Sequence, residues 1–109
     1  MGAMSIPTTA YDLCNWVGYK THRTTYSPKT GTTAHVTGIH GGDITVSMYP
    51  QGAWCARCNH TGVVFAPTGG IANTRGEALA VITNAMRHST RAGRAIARDA
   101  VIEEMVDLI

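Results

Sequence analysis

Two cysteines and a histidine lie close together in the segment Trp54-Cys55-Ala56-Arg57-Cys58-Asn59-His60-Thr61-Gly62. Two thiolates separated by two residues can turn inward and bind one metal ion, and an imidazole two residues further on can add a nitrogen ligand. A structural zinc site needs four ligands, and the chain has no second C-x-x-C. Cys14 is the preferred fourth ligand because thiolates suit zinc best. A single C-x-x-C without a second is a weak metal signal, so one structural zinc ion bound by Cys14, Cys55, Cys58 and His60 is a candidate site beside the interpretation without metal.

A C-x-x-C on a hairpin before a glycine resembles a zinc knuckle, or one half of a zinc ribbon, over about nine residues. The resemblance implies a turn between Cys55 and Cys58, with His22, His35 and His40 as other available ligands. The alternative excludes that turn. If both cysteines belong to a strand, their odd separation directs them to opposite faces, and they are small apolar thiols of a sheet.

A short helix is expected over about residues 10–17, because Thr9 is a capping residue with Asp12 three residues on. The apolar stripe of this helix consists of Leu13, Trp16 and Val17, and Cys14 lies beside it rather than in it. The Thr-rich segment that follows predicts a short strand over 21–26 and then a turn.

The middle of the chain is predicted to form an antiparallel meander, and Gly41-Gly42 defines its first hairpin. A two-residue Gly-Gly loop is a favoured hairpin turn. It pairs Ile39 with Ile44. It also places His40 directly across from Asp43, where a cross-strand hydrogen bond explains the histidine.

Two later turns extend the meander. Pro50-Gln51-Gly52 suits a three-residue loop with glycine in the left-handed position, and it sets Met48 beside Trp54. A tight turn at Asn59-His60 then makes Trp54 face Phe65. In this register one face carries the large apolar side chains, and a one-residue slip would scatter them. The residues of that face are Ile39, Ile44, Val46, Met48, Trp54, Ala56, Val63 and Phe65.

Helical patterns occupy the rest of the chain. Thr74-x-x-Glu77 is a capping box, which predicts a helix over about 75–90. A second apolar periodicity covers 94–107, and Gly93 leaves open whether the first helix continues or bends. The predicted fold class is α+β: a short helix, an antiparallel meander of three to five strands, and one long or two consecutive C-terminal helices.

The chain of 109 residues fits one domain over residues 4–109, and Met1-Gly2-Ala3 resembles the remnant of a cleaved tag. It contains no apolar run of about 18 residues that would span a membrane. Three cysteines, an odd number, fit a reducing compartment, so a cytoplasmic location is expected. None of the common catalytic motifs occurs, and no catalytic residue is predicted.

Charge is distributed unevenly along the chain. Residues 1–98 hold all nine Lys and Arg against three acids, whereas residues 99–109 hold four acids and no base. A continuous helix would place four arginines in one stripe, at i, i+4, i+7 and i+11. Such a stripe can contact phosphates. The leading hypothesis is therefore a regulatory or nucleic-acid-binding protein that contacts DNA or RNA through Arg87, Arg91, Arg94, Arg98 and Arg57.

The C-terminal segment supports a different function. An apolar helical face ends in Met105, Val106, Leu108 and Ile109, beside acids spaced i, i+4 and i+8. An amphipathic helix of this kind packs on its own sheet or docks on another chain. The alternative hypothesis is a protein-interaction module that modulates a larger partner or forms a homodimer through these four residues.

Overall fold

The structure, a computed structural model, describes residues 6–71 and 74–107, with side chains up to residue 100. Its five strands form one antiparallel sheet in sequential order, β1-β2-β3-β4-β5. This confirms the predicted α+β meander with two consecutive C-terminal helices. The elements are α1 (Ala10–Trp16), β1 (Arg23–Ser27), β2 (Gly31–Thr37), β3 (Asp43–Met48), β4 (Trp54–Cys58), β5 (Val64–Phe65), α2 (Arg75–Ser89) and α3 (Arg91–Asp107), with 3-10 turns at Ile39–Gly41 and Thr68–Gly70.

The core lies between one face of the sheet and two helices. α1 packs on β2 and β3, and α2 packs on β3, β4 and β5. Residues of β3 and β4 alternate between buried and accessible, as expected for strands covered on one side. The sheet contributes Ala34, Val36, Ile44, Val46, Met48, Trp54, Ala56 and Cys58 to the buried set, and the helices contribute Ala10, Leu13, Cys14, Val17, Ala78, Ile82 and Ala85.

Helix α1 begins as predicted, because the Thr9 side chain accepts a hydrogen bond from the Asp12 amide at 3.1 Å. The predicted position of Cys14 was wrong. Cys14 is fully buried, whereas Trp16 is only partly buried. The buried face starts at Ala10 and repeats at i+3, i+4 and i+7, so that Cys14 falls in its centre.

The predicted register between β2 and β3 was also wrong. Thr37 pairs with Asp43, and the Ile39–Gly41 turn lies in the connection. The difference from the predicted register is three residues, an odd number, which exchanges the two faces of β2. Val36 therefore enters the core, and Ile39 is 76% exposed.

The glycines around this connection serve a close approach by α2. The Met86 sulfur would be 2.9 Å from a Cβ at Gly38 and 2.6 Å from a Cβ at Gly42. The amide of Gly38 donates to the carbonyl of Gly42 at 2.9 Å. Gly42 thus lies against a side chain from another element and does not form a two-residue hairpin turn.

The other two turns are closer to prediction. Met48 pairs with Trp54, as predicted, and Gly52 has a positive φ of 96°. In the last hairpin Phe65 pairs with Ala56 instead of Trp54. This is a shift of two residues, which keeps the same faces. The β4–β5 turn, residues 59–63, is closed by a 2.8 Å bond from the Gly62 amide to the Cys58 carbonyl.

Helices α2 and α3 are separated at Thr90, whose backbone is extended (φ −67°, ψ 161°). The Thr74 cap of α2 is formed as predicted. The Thr90 side chain caps α3 by accepting from the Gly93 amide at 3.0 Å. Gly93 itself lies inside α3, and a Cβ there would be 2.0 Å from the Arg87 carbonyl oxygen. The chain bends before Gly93, and the glycine allows the two helices to meet.

Candidate functional site

The four predicted zinc ligands do not come together. Cys55 and Cys58 lie on β4 with side chains on opposite faces, Cys55 partly exposed and Cys58 in the core. Cys14 is buried on α1, and His60 lies in the exposed β4–β5 turn. Among residues 6–71 and 74–100, no group of three or more His, Cys, Asp or Glu side chains could hold a metal ion.

Burial raises the pKa of two of the three thiols. Burial raises the pKa of Cys14 to about 12, which keeps the thiol protonated. Burial raises the pKa of Cys55 as well, and the positive charge of Arg57 offsets this only in part. Both thiols are therefore protonated at neutral pH when no metal ion is bound.

The predicted arginine stripe is divided by the bend at Thr90. Arg87 lies in the last turn of α2, whereas the next three arginines begin α3. Arg57 lies on β4, exposed on the face of the sheet opposite the core. Three of the five predicted arginines therefore share one surface, namely Arg91, Arg94 and Arg98.

These three arginines line a surface groove of about 440 Å³ together with His60, Thr61 and Ala95. We call it the basic groove. Among the side chains that the structure describes, up to residue 100, no carboxylate lines it. Asp99 approaches Arg98 with an N–O distance of 3.9 Å, but both side chains are about 70% exposed. Water and salt screen such a pair, so Asp99 does not neutralise Arg98.

Hydrogen bonds fix the walls of the basic groove. Arg94 Nε donates to the carbonyl of Ser89 at 3.1 Å. The His60 imidazole donates to the carbonyl of Gly41 at 2.8 Å. The hydroxyl of Ser89 accepts from the Asp43 amide at 2.9 Å and donates to a carbonyl of its own helix. The end of α2, the Ile39–Gly41 turn and the β4–β5 turn are thus tied to one another.

A second depression of about 580 Å³ adjoins the basic groove, and the two share Arg91 and Ala95. We call it the apolar pocket, because most of its accessible lining is apolar. Its remaining walls are His40, Gly41 and Ala92. His40 has a left-handed backbone (φ 57°, ψ 32°), the one non-glycine residue with positive φ in the described ranges.

A polar network on the outer face of the sheet supports the β4–β5 turn, and the sequence did not predict it. Asp43 accepts hydrogen bonds from His35 at 2.5 Å and from Asn59 at 2.8 Å, and Thr45 donates to Asn59 at 2.9 Å. The ring of His22 lies 4.5 Å from that of His35. Asn59 thereby holds the start of the turn that carries the groove histidine.

This network lowers the pKa of the Asp43 carboxyl. Partial burial alone would raise it, but the bonds from Asn59 and His35, with the charges of His35 and His60, outweigh burial. The histidine that reaches Asp43 is His35 and not the predicted His40. The reason is the three-residue change of register, which places His35 across from Thr45 and next to Asp43.

The predicted partner-binding residues fall at the end of α3. Met105 and Val106 belong to the helix, but their side chains lie outside the description, and Leu108 and Ile109 lie outside the described residues. Earlier in the same helix, Ile96 is 71% exposed. Association through this helix stays a prediction.

Comparisons with protein-family models, with curated proteins and with solved structures find no match for this chain. Of the helices within residues 6–71 and 74–107, none has the length and apolar character needed to cross a bilayer.

Proposed function

We propose that this protein binds nucleic acid through the basic groove. The observation that carries the proposal is the convergence of Arg91, Arg94 and Arg98 on one groove, whose lining among the side chains described up to residue 100 includes no carboxylate. A guanidinium group is always charged and offers a rigid fork of donors that matches phosphate oxygens. Three such groups on one helix face form a site for a polyanion.

The three arginines have different roles. Arg94 is half-buried and bonded to Ser89, so its guanidinium group is held in place. Arg91 and Arg98 are exposed and form the outer parts of the groove. They are seven residues apart, which corresponds to about 10 Å along a helix axis. We therefore expect the groove to contact about three phosphates.

This number predicts the dependence of binding on salt. Three phosphate contacts give a slope of log K against log salt of about −2.7 for a duplex and about −2.1 for a single strand. Between 50 and 200 mM salt, the affinity should therefore fall by about 40-fold or about 20-fold, respectively. Titration of labelled duplex and single-stranded probes by fluorescence anisotropy at several salt concentrations measures the slope.

The test variant is the double charge reversal Arg91→Glu with Arg98→Glu. Both side chains are exposed, so the fold should be retained, whereas Arg94 also supports the end of α2. We expect at least a tenfold loss of affinity and a shallower salt slope. Lys29→Glu is the matched control, because Lys29 is exposed in the β1–β2 turn, at the opposite end of β2 from the groove. A salt-independent affinity, or equal affinities of the double variant and the control, would refute the proposal.

A further inference from the structure

The apolar pocket and the basic groove meet at Arg91 and Ala95. From this junction we propose that the site binds single-stranded nucleic acid, with one unstacked base in the apolar pocket and the neighbouring phosphates in the basic groove. The inference rests on the proposed function and extends it by naming the form of nucleic acid that is bound.

The apolar pocket has the size and chemistry of a site for a planar ring. Its volume of about 580 Å³ lies in the usual range for small-molecule sites, which are mostly apolar with a few polar groups. Ala92, Ala95 and His40 are among the residues that line it. Proteins that hold single strands place bases against such apolar and aromatic surfaces.

The pocket also distinguishes single strands from duplexes. In a duplex each base is paired and stacked, and moving it into a pocket requires unstacking and unpairing. In a single strand the base is already accessible. A groove of arginines alone would accept either form. A pocket beside the groove adds free energy only for the form that offers a free base.

Arg91 links the two parts of the site. It lines both depressions, so its guanidinium group can face a phosphate or stack on the base next to that phosphate. A ligand that fills both depressions must carry a negative charge and an apolar ring on adjacent groups. A nucleotide unit of a nucleic-acid chain has this arrangement.

His40 is a second, independent observation. A left-handed backbone is unfavourable for a residue with a Cβ and is adopted readily by glycine. The turn alone would accept glycine at this position, as it does at Gly41, whose φ is 81°. Histidine at this position, which lines the apolar pocket, brings an imidazole that glycine would lack.

The experiment compares three probes with the full chain at 50 mM salt: a labelled DNA strand of about 12 nucleotides, the same strand with abasic sites in place of its bases, and the corresponding duplex. We expect wild-type protein to bind the intact strand about tenfold more tightly than the abasic strand, the effect of one stacked base. It should also prefer the intact strand to the duplex.

Ala92→Leu fills the apolar pocket. Ala92 is exposed, and leucine is a good helix former, so the fold should be retained. This variant should bind the intact and abasic strands equally, at the affinity of wild-type protein for the abasic strand. Ala100→Leu is the matched control, because Ala100 is exposed on the same helix and lines neither depression. It should keep the tenfold preference. His40→Gly should lose most of this preference. The variant should not destabilise the turn, because glycine adopts the left-handed backbone of position 40 without strain.

The outcomes separate the two proposals. Equal affinity of wild-type protein for the intact and abasic strands, or tighter binding of the duplex, would overturn the base pocket and leave phosphate binding in place. An unchanged preference in Ala92→Leu would do the same. Failure to bind any of the three probes would refute both proposals.

Discussion

Gly93→Ala should destabilise the protein, although glycine-to-alanine changes inside helices normally stabilise. The usual gain is about 1 kcal/mol. At this position the new Cβ would lie 2.0 Å from the Arg87 carbonyl oxygen and 2.9 Å from the His88 α carbon, whereas ordinary contact begins at 3.4 Å. Both atoms are backbone and cannot rotate away, so α2 and α3 must separate. Overpacking of this kind costs up to about 3 kcal/mol, which leaves a net loss of about 2 kcal/mol in the free energy of unfolding.

Urea denaturation followed by circular dichroism measures this loss, and Gly76→Ala is the matched control. Gly76 lies in α2, and a Cβ there would have no neighbour within 4 Å. The control should gain about 0.5–1 kcal/mol, so the two variants should differ in sign. A gain of stability in both would refute the close approach of α3 to the end of α2. The position of the basic groove would then need a different explanation, because the groove is built on that approach.

Two further predictions concern the polar network and the thiols. Asp43→Asn should lower the free energy of unfolding at pH 7 by about 1–2 kcal/mol, because Asp43 accepts two hydrogen bonds while partly exposed. Because folding lowers the pKa of the Asp43 carboxyl, the carboxylate stabilises the folded state above the unfolded-state pKa of about 3.9. This stabilisation is lost as the pH falls through the folded-state pKa. The variant should therefore lose less stability below about pH 4 than wild type; parallel acid denaturation curves would contradict this. In thiol labelling of the native protein at pH 8, Cys55 should react first and Cys14 only on unfolding, because Cys14 is buried with a pKa of about 12. Equal labelling rates of the two thiols would contradict the burial of Cys14 on α1.

Features that depend on adjacent residues were predictable from the sequence. The caps at Thr9 and Thr74 and the loop with Gly52 in the left-handed position formed as predicted. Each needs only the chemistry of a few neighbouring residues. The class of fold followed from such signals together with the periodicity of the apolar residues.

The register of the first hairpin was not predicted, because the Gly-Gly pair indicates a two-residue turn, whereas Gly42 lies against a residue far along the chain. Met86 of α2 occupies the space above Gly38 and Gly42, and only the folded chain brings them together. The basic groove has the same origin. A continuous helix would have aligned Arg87 with Arg91, but Thr90 is extended, and the second helix is placed by the contact at Gly93. His40 was assigned to a hydrogen bond for the same reason, whereas it lies on the wall of a pocket.

The sequential order of the strands has a consequence for how the chain folds. Every strand pairs with its neighbour in sequence, so each hairpin closes a loop of only a few residues. The entropy lost on closing a loop grows with its length, and folds rich in local contacts form faster than those built from distant pairings. The sheet can therefore grow one hairpin at a time. The long-range steps are the docking of α1, whose Ala10 amide bonds to Thr32, and of α2, which closes the core. The groove joins α3 to the β4–β5 turn, so ligand binding requires that the helices have docked on the sheet.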